Sequence, residues 1–309
     1  MSKAVIVGGG AAGMAAAVFL AEKGHTVHLF EKNEKLGKKI YITGKGRCNF
    51  TNACPQEELF DNIIHGRKFL YSAFYGYNNF DVIDFFESLG VRTKTERGNR
   101  VFPRSNHASD ITLALEKRMK ALDVTIHLKT EVTEVLASDG QIRGISLKDG
   151  SLIQADAVLV ATGGLSYPST GSTGDGYRFA RSLGHQVTPL CPSLVPFLTQ
   201  EDYIPLMQGL SLKNVSLTLF RKNKKCWDGF GELLFTHRGI SGPLALTASA
   251  QIGEYLLLEQ LTAQIDWKPA LTQEQLDDRL LREFSGQENR QFKNVIPSVL
   301  PAMAVPVFL

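Results

Sequence analysis

One glycine pattern near the start of the chain limits the possible folds more than any other feature. Gly8, Gly10 and Gly13 form G-x-G-x-x-G between an apolar strand predicted over residues 4–7 and an alanine-rich helix predicted over residues 12–23. The pattern is weak alone, and the strand–turn–helix context gives it a physical meaning. Gly8 permits the tight turn, Gly10 lets the backbone approach a pyrophosphate, and Gly13 lets the helix pack on the strand. The sequence therefore predicts a βαβ unit that binds a dinucleotide at the positive N-terminus of the helix.

Glu31 follows the second predicted strand, residues 27–30, and lies eighteen residues beyond Gly13. A carboxylate at this position accepts hydrogen bonds from both ribose hydroxyls and repels a 2′-phosphate. The bound adenosine is therefore expected to have a free ribose, as in FAD or NAD. In the alternative interpretation the glycine turn serves only packing and Glu31 is a surface charge.

The region before residue 164 distinguishes FAD from NAD. Residues 157–161 form an apolar strand that runs into Thr162 and Gly163, after predicted hairpins with Asp-Gly turns at 139–140 and 149–150. Simple NAD dehydrogenases would alternate strands and helices here. The pattern favours FAD and an α/β fold: a Rossmann-like FAD-binding domain of the two-dinucleotide-fold type, with an inserted β-rich and helical second domain.

A cluster of three prolines, Pro189, Pro192 and Pro196, marks the predicted domain boundary. The expected FAD-binding domain covers residues 1–189, and a β-rich domain covers residues 190–309. Its helical part is expected to start at about residue 270, because Thr272 and Gln275 form a capping box there.

Composition narrows the function classes. Lys and Arg number 34 against 31 Asp and Glu, and this charge of +3 disfavours a nucleic-acid protein recognised by global charge. Four scattered cysteines fit a reducing compartment. Residues 4–21 are uncharged, but glycines interrupt them and they fit a buried strand and helix better than a signal anchor. We therefore expect a cytoplasmic protein without membrane insertion.

Five segments resemble the HI0933-like flavoprotein family, which includes enzymes described as aminoacetone oxidases and bile-acid 3-dehydro-Δ4,6 reductases. They are residues 31–39 (EKNEKLGKK), 46–52 (GRCNFTN), 100–105 (RVFPRS), 163–176 (GGLSYPSTGSTGDG) and 235–243 (FTHRGISGP). The resemblance implies an FAD-dependent oxidoreductase. Together with the motif, it makes the following residues candidates for cofactor binding: Gly8, Gly10, Ala12, Gly13, Glu31, Lys32, Lys39, Arg47, Cys48, Asn49, Val132, Thr162 and Gly163.

Members of this family continue beyond the length of this chain and return a C-terminal segment to the FAD domain. The resemblance therefore leads to the expectation that the chain is a fragment without that segment, or that its flavin ring site lacks one wall. A non-catalytic flavin-binding fragment is one alternative function.

The loop of residues 43–52 is predicted to reach the isoalloxazine. Arg47 is a candidate to face the pyrophosphate or the anionic reduced flavin, and Asn49 a candidate to bond the ring edge; alternatively, both satisfy the loop's own backbone. Cys48 and Cys54 are spaced C-x5-C rather than the C-x4-C of disulfide reductases, which favours two unrelated thiols over a redox pair.

His237 ends an apolar strand before a glycine-rich turn, and it is the candidate catalytic residue, as a proton donor or a flavin contact. A packing role is the alternative. His25 and His28 point to opposite faces of a strand, so they cannot share a metal, and we expect no metal site.

Five cations, Arg92, Lys94, Arg97, Arg100 and Arg104, accompany one acid, Glu96. In one interpretation they form a binding patch for the phosphates of NAD(P)H or for an anionic substrate. In the interpretation that we favour they form the solvated face of a hairpin.

The predicted function is hydride transfer through FAD to or from a small organic substrate. No second G-x-G-x-x-G follows residue 190, so NAD(P)H would dock transiently as reductant, or the substrate would reduce the flavin and oxygen reoxidise it. The alternative is a flavin-binding protein of the RNA-modification type, although the charge disfavours a nucleic-acid partner. The sequence does not indicate an oligomeric state.

Overall fold

The computed structural model describes residues 2–287 and 289–309. Contacts within the chain divide it into two units, Met1–Thr188 (unit 1) and Pro189–Leu309 (unit 2). Unit 1 contains a parallel sheet with helices, and unit 2 contains an antiparallel sheet with helices. The predicted class is confirmed: an α/β chain with a Rossmann-like unit and a further β-rich unit.

The strands and helices of unit 1 follow one another in this order: β1 (Lys3–Val7), α1 (Ala11–Glu22), β2 (Thr26–Phe30), β3 (Thr51–Asn52), α2 (Gln56–Asp61), α3 (Arg67–Gly76), α4 (Asn79–Ser88), β4 (Thr93–Glu96), β5 (Arg100–Pro103), α5 (Ala108–Ala121), β6 (Thr125–His127), β7 (Val132–Ser138), β8 (Gln141–Leu147), β9 (Leu152–Gln154), β10 (Ala157–Val160) and α6 (Asp175–Ser182). Two 3₁₀ segments, Ile40–Gly46 and Pro168–Thr170, lie in the connections.

The parallel sheet of unit 1 has the strand order β10-β1-β2-β6. After Lys3, strand β1 is apolar and buried, as is typical of a strand that is covered on both faces. On one face Ile6 packs with residues of α1 and α5. On the other face Val5 and Val7 pack with the β7–β9 meander and with Phe179 of α6. This sandwich places the carboxyl ends of β1, β2 and β10 at one edge, where α/β folds bind ligands.

Helix α1 forms where alanine predominates and ends before Gly24, which has φ +81°. Gly13 allows its close approach to β1, because a Cβ there would lie 1.9 Å from the Gly8 carbonyl oxygen. The predicted helix and its packing glycine are therefore confirmed. Helix α5 begins at Ala108. Its N-cap is His107, which has no side-chain cap bond from the described residues.

Two small antiparallel sheets complete unit 1. Strands β7, β8 and β9 form the predicted meander, and Asp139 and Gly140 both adopt positive φ in the first turn, as a two-residue hairpin of type I′ requires. Strands β3, β5 and β4 form the second sheet, in which the basic hairpin of β4 and β5 pairs Lys94 with Phe102.

Unit 2 contains β11 (Phe197–Leu198), β12 (Ser211–Arg221), β13 (Lys224–Thr236), β14 (Gly239–Ser241), α7 (Pro243–Leu256), β15 (Thr262–Asp266), α8 (Gln273–Ser285), α9 (Phe292–Val295) and α10 (Val305–Phe308), with 3₁₀ segments at Ile204–Met207, Ile296–Ser298 and Ala302–Ala304. The sheet order is β11-β14-β13-β12-β15. Its core packs Leu217 and Leu233 against Ala245 and Ala248 of α7. Thr272 and Gln275 form the predicted capping box of α8.

No helix within the described ranges 2–287 and 289–309 combines the length and the apolar character that a bilayer span requires.

Candidate functional site

A cavity of about 340 Å³ lies in unit 1 at the edge where β1, β2 and β10 end. It is lined by nine of the predicted cofactor-binding residues: Gly8, Gly10, Ala12, Glu31, Lys32, Lys39, Val132, Thr162 and Gly163. These residues come from five separate stretches of the chain. The fold therefore places the glycine turn, Glu31 and the Thr162–Gly163 turn that follows β10 around one cavity.

The N-terminus of α1 opens into this cavity. Its N-cap is Gly10, which has no side-chain cap bond from the described residues, and the first turn of the helix contains no acidic residue. A Cβ on Gly10 would meet no described atom within 4 Å, so the space in front of the helix is free. Because the partial positive charge of the helix end has no internal partner, the position suits an anionic group.

Gly8 has φ +111°, and a Cβ there would lie 2.4 Å from the carbonyl oxygen of Ala161. Two requirements thus meet at this position: a left-handed backbone and contact with the strand end of β10. The turns after β1 and β10 touch each other through this glycine. Gly13 does not line the cavity, and its role in the structure is the packing of α1.

The Glu31 carboxylate is buried, with 8% exposure, and the backbone around it supplies most of its hydrogen bonds. Oε2 accepts from the Gly9 N–H at 2.7 Å. Oε1 accepts from both the backbone N–H and the side-chain amide of Asn33, at 2.8 and 2.7 Å. Glu31 therefore fixes the glycine turn, and Oε2 retains one acceptor position for a hydroxyl.

The glycine-rich loop of residues 163–174 is bonded to the segment that follows Glu31. Lys32 Nζ donates to Thr173 Oγ1 and to Asp175 Oδ2, both at 2.7 Å. Lys39 Nζ donates to the buried Ser172 Oγ at 2.7 Å. Burial alone would raise the pKa of Asp175, but the bonds from Lys32 and Thr173 outweigh it and lower that pKa. The cavity wall is thus held by charged hydrogen bonds.

Arg47, Cys48 and Asn49 lie outside the cavity lining formed by the described residues. The Arg47 guanidinium donates to both carboxylate oxygens of Glu96, at 3.0 and 3.1 Å, and lies over the Phe102 ring. Asn49 donates to the carbonyl oxygens of Thr51 and Val101, both at 2.9 Å. These side chains attach the loop to the β4–β5 hairpin in the structure. Their contacts with a cofactor stay predictions.

Cys48 and Cys54 are both free and buried. Burial raises the pKa of each thiol above its ordinary value. Because redox-active cysteines need an accessible thiolate, both environments are those of structural thiols.

His237 is exposed in the turn between β13 and β14 of unit 2. It lines an open groove of about 330 Å³ together with Glu201, Asp202 and Arg238. Charged side chains of both signs therefore surround the candidate acid, and its catalytic role stays a prediction.

Three features of the site escaped the residue-level argument. The Asn33 amide donates to Glu31, and the Ser172 hydroxyl accepts from Lys39. Both residues lie in segments that carry the family resemblance, but they were not named as site residues. His28 Nδ1 and His127 Nε2 share a 3.2 Å hydrogen bond across β2 and β6, next to Phe30. No local pattern predicts this pair, because 99 residues separate the two histidines. Among the described residues, no group of three or more His, Cys, Asp or Glu side chains is arranged to hold a metal ion.

The chemistry of the cavity fits FAD. An uncapped helix N-terminus suits a pyrophosphate, a buried carboxylate with a free acceptor position suits a ribose hydroxyl, and Lys39 adds a positive charge that a serine hydroxyl positions.

Comparison with known proteins agrees with this chemistry. The family described as HI0933-like protein Rossmann domain matches residues 2–253. The chain is 31% identical to the ribosomal RNA dihydrouridine synthase of Haemophilus influenzae, covering 100% of this chain and 74% of that protein. It is 29% identical to the protein of the same name from Escherichia coli, covering 98% and 72%. It is 31% identical to the 3-dehydro-bile acid delta(4,6)-reductase of Clostridium scindens, covering 89% and 67%. The chain belongs to the HI0933-like family and is an FAD-dependent oxidoreductase.

Proposed function

We propose that the cavity of unit 1 binds the adenosine diphosphate half of FAD and that the enzyme transfers a hydride to or from a small organic substrate. One observation carries the proposal: the glycine turn, Glu31 and the Thr162–Gly163 turn, which the sequence singles out separately, line one cavity. When bound, FAD supplies the hydride chemistry, and the protein supplies binding and orientation.

The residues of the cavity divide this task by chemistry. The uncapped end of α1 faces the pyrophosphate, because its backbone N–H groups and dipole favour a negative charge. Glu31 accepts a hydroxyl of the adenosine ribose while keeping the glycine turn in place. Lys39, held by Ser172, supplies a cation at the turn after β10. Val132 covers the apolar side of the cavity, where it is 6% exposed.

NAD(P)H is the proposed reductant. The sequence downstream of residue 190 contains no second G-x-G-x-x-G motif that would build a separate nicotinamide domain. The reductant would therefore dock transiently. The name of the Clostridium scindens relative, a reductase, agrees with this direction of electron flow.

His237 is the proposed proton donor to substrate. An exposed histidine can exchange its proton with solvent. The Glu201 and Asp202 carboxylates line the same groove.

Anaerobic reduction tests the proposal. Purified protein with bound FAD is mixed with NADH or NADPH, then with amines or steroid enones, and the flavin absorbance is followed. We expect bleaching by a nicotinamide and recovery with a substrate. The variant His237→Gln should keep its FAD and slow the substrate step by about a hundredfold. Flavin that neither nicotinamides nor substrates reduce would instead indicate a non-catalytic flavin-binding protein.

A second candidate function is the reduction of a base in RNA. The Haemophilus influenzae and Escherichia coli relatives carry the name ribosomal RNA dihydrouridine synthase. In this chain the β4–β5 hairpin exposes Arg97 and Arg100, which have no carboxylate partner among the described residues. Salt-sensitive binding of RNA would support this function, whereas a failure to bind RNA at low salt would exclude it.

A further inference from the structure

A second concave site lies on unit 1, between the β4–β5 hairpin and one side of α5. It is a groove of about 550 Å³ that shares no lining residue with the cofactor cavity in the described chain. Helix α5 separates the two sites. Its Thr112 contacts the Gly37 turn beside the cavity, whereas Asp110, Leu113 and Lys117 line the groove.

Three cations from three parts of the chain line this groove. Arg92 and Arg104 lie opposite each other beyond the last strand pair, where the Arg104 N–H donates to the Arg92 carbonyl oxygen at 2.8 Å. Lys117 joins them from α5. Within the described part of the chain, none of the three side chains has a carboxylate within ion-pair distance. Like charges that face each other across a strand pair destabilise the fold, so a bound anion would recover free energy here.

The neighbouring acids are engaged elsewhere. Glu96 pairs with Arg47 and Lys94, at 3.0 and 2.9 Å, on the other part of the hairpin. Asp110 is the acid that lines the groove, and its carboxylate accepts a 2.6 Å hydrogen bond from the Ser105 hydroxyl. The lining of the groove therefore contains three cations and one carboxylate, which leaves an excess of positive charge.

We propose that this groove binds a phosphate group of an anionic ligand. Two guanidinium groups offer the forked donors that match phosphate oxygens, and Lys117 adds a compact charge. The exposed Leu113 and the half-buried Ala114 give the same groove an apolar wall for a sugar or base. The phosphate has two possible sources, the backbone of RNA or a phosphorylated nucleotide such as the reductant. The proposal does not depend on FAD binding, because the two sites are lined by different residues.

Titration with two probes tests the proposal. The first is a fluorescent single-stranded oligouridylate of 20 nucleotides, measured by anisotropy at several salt concentrations. The second is 2′,5′-ADP, measured by calorimetry, with adenosine as its uncharged reference. Each probe is applied to the wild-type chain, to a variant with Arg92→Ala, Arg104→Ala and Lys117→Ala, and to a control variant with the same charge change at exposed cations outside the groove: Lys23→Ala, Lys68→Ala and Arg181→Ala.

We expect at least about tenfold weaker binding by the groove variant than by the control for one of the probes. Selective loss of oligouridylate binding assigns the groove to RNA, and selective loss of 2′,5′-ADP binding assigns it to a nucleotide phosphate. Absence of binding by the wild type, or an equal loss in both variants, overturns the proposal. Thermal midpoints report on folding, and FAD content reports on the cofactor cavity. A failure of the proposed function can therefore be distinguished from a failure of phosphate binding in the groove.

Discussion

The two concave sites of unit 1 differ in how their charges are balanced. In the cofactor cavity, the charged side chains are bonded within the chain: Glu31 to Gly9 and Asn33, Lys32 to Asp175, and Lys39 to Ser172. In the basic groove, Arg92, Arg104 and Lys117 converge without a carboxylate partner among the described residues. Folding by itself organises the first site, whereas the second site keeps a repulsion that a ligand would relieve. Substitutions of the bonded charged side chains in the cavity should therefore affect stability and binding together, and substitutions in the groove should affect binding alone.

The largest expected effect comes from the glycine turn. Gly13→Ala places a Cβ 1.9 Å from the Gly8 carbonyl oxygen, so α1 must move away from β1. We expect a loss of about 1–3 kcal/mol in the free energy of unfolding, and we expect the variant to be purified without bound FAD.

Gly10→Ala is the matched substitution, because its Cβ meets no described atom within 4 Å. It should leave the stability of the FAD-free protein unchanged and still weaken FAD binding. Denaturant unfolding and flavin absorbance measure the two effects, and equal behaviour of both variants would contradict the separate roles of these glycines.

A smaller effect on FAD binding is expected at Glu31. Glu31→Ala leaves the Gly9 N–H and the Asn33 amide without their acceptors in a buried position. Such a loss costs about 1–3 kcal/mol, and it should weaken FAD retention as well as the fold. The triple groove variant is the comparison, since removing mutually repelling cations should not lower the thermal midpoint. Unchanged FAD retention in Glu31→Ala would contradict its contact with the ribose.

The smallest effect concerns pH. Burial lowers the pKa of both His28 and His127 below the ordinary 6.5, and the charge of Lys3 acts in the same direction. The unfolded chain therefore takes up protons more readily than the folded chain. The stability that this pair contributes is present above pH 6.5 and decreases as the pH falls further.

The measurement is the thermal midpoint between pH 8 and pH 5. It should fall more steeply with acid in the wild type than in a variant with His28→Gln and His127→Gln. His185→Gln changes an exposed histidine and serves as control. Identical pH profiles of the double variant and the wild type would show that the pair does not titrate with folding.

Prediction from sequence was most accurate where a local rule governs the backbone. The strands and helices of the opening βαβ unit, the Asp139-Gly140 hairpin and the capping box of α8 all formed where the residues indicated. The N-cap of α5 could not be predicted, because it is His107, whose side chain makes no cap bond with the described residues. The partners of Arg47 and Asn49 could not be predicted either, since both are bonded to a hairpin about fifty residues away.

The amino-acid order by itself determined where the chain turns, which segments are helical or extended, and which end of α1 is open to an anion. These properties depend on neighbouring residues, such as the absence of a Cβ at Gly8 and Gly10. The tertiary structure alone decided which donors hold Glu31, which lysines bond the loop after β10, and that Arg92, Arg104 and Lys117 share a groove. Charged side chains on long flexible stems have no preferred partner until packing brings distant segments together.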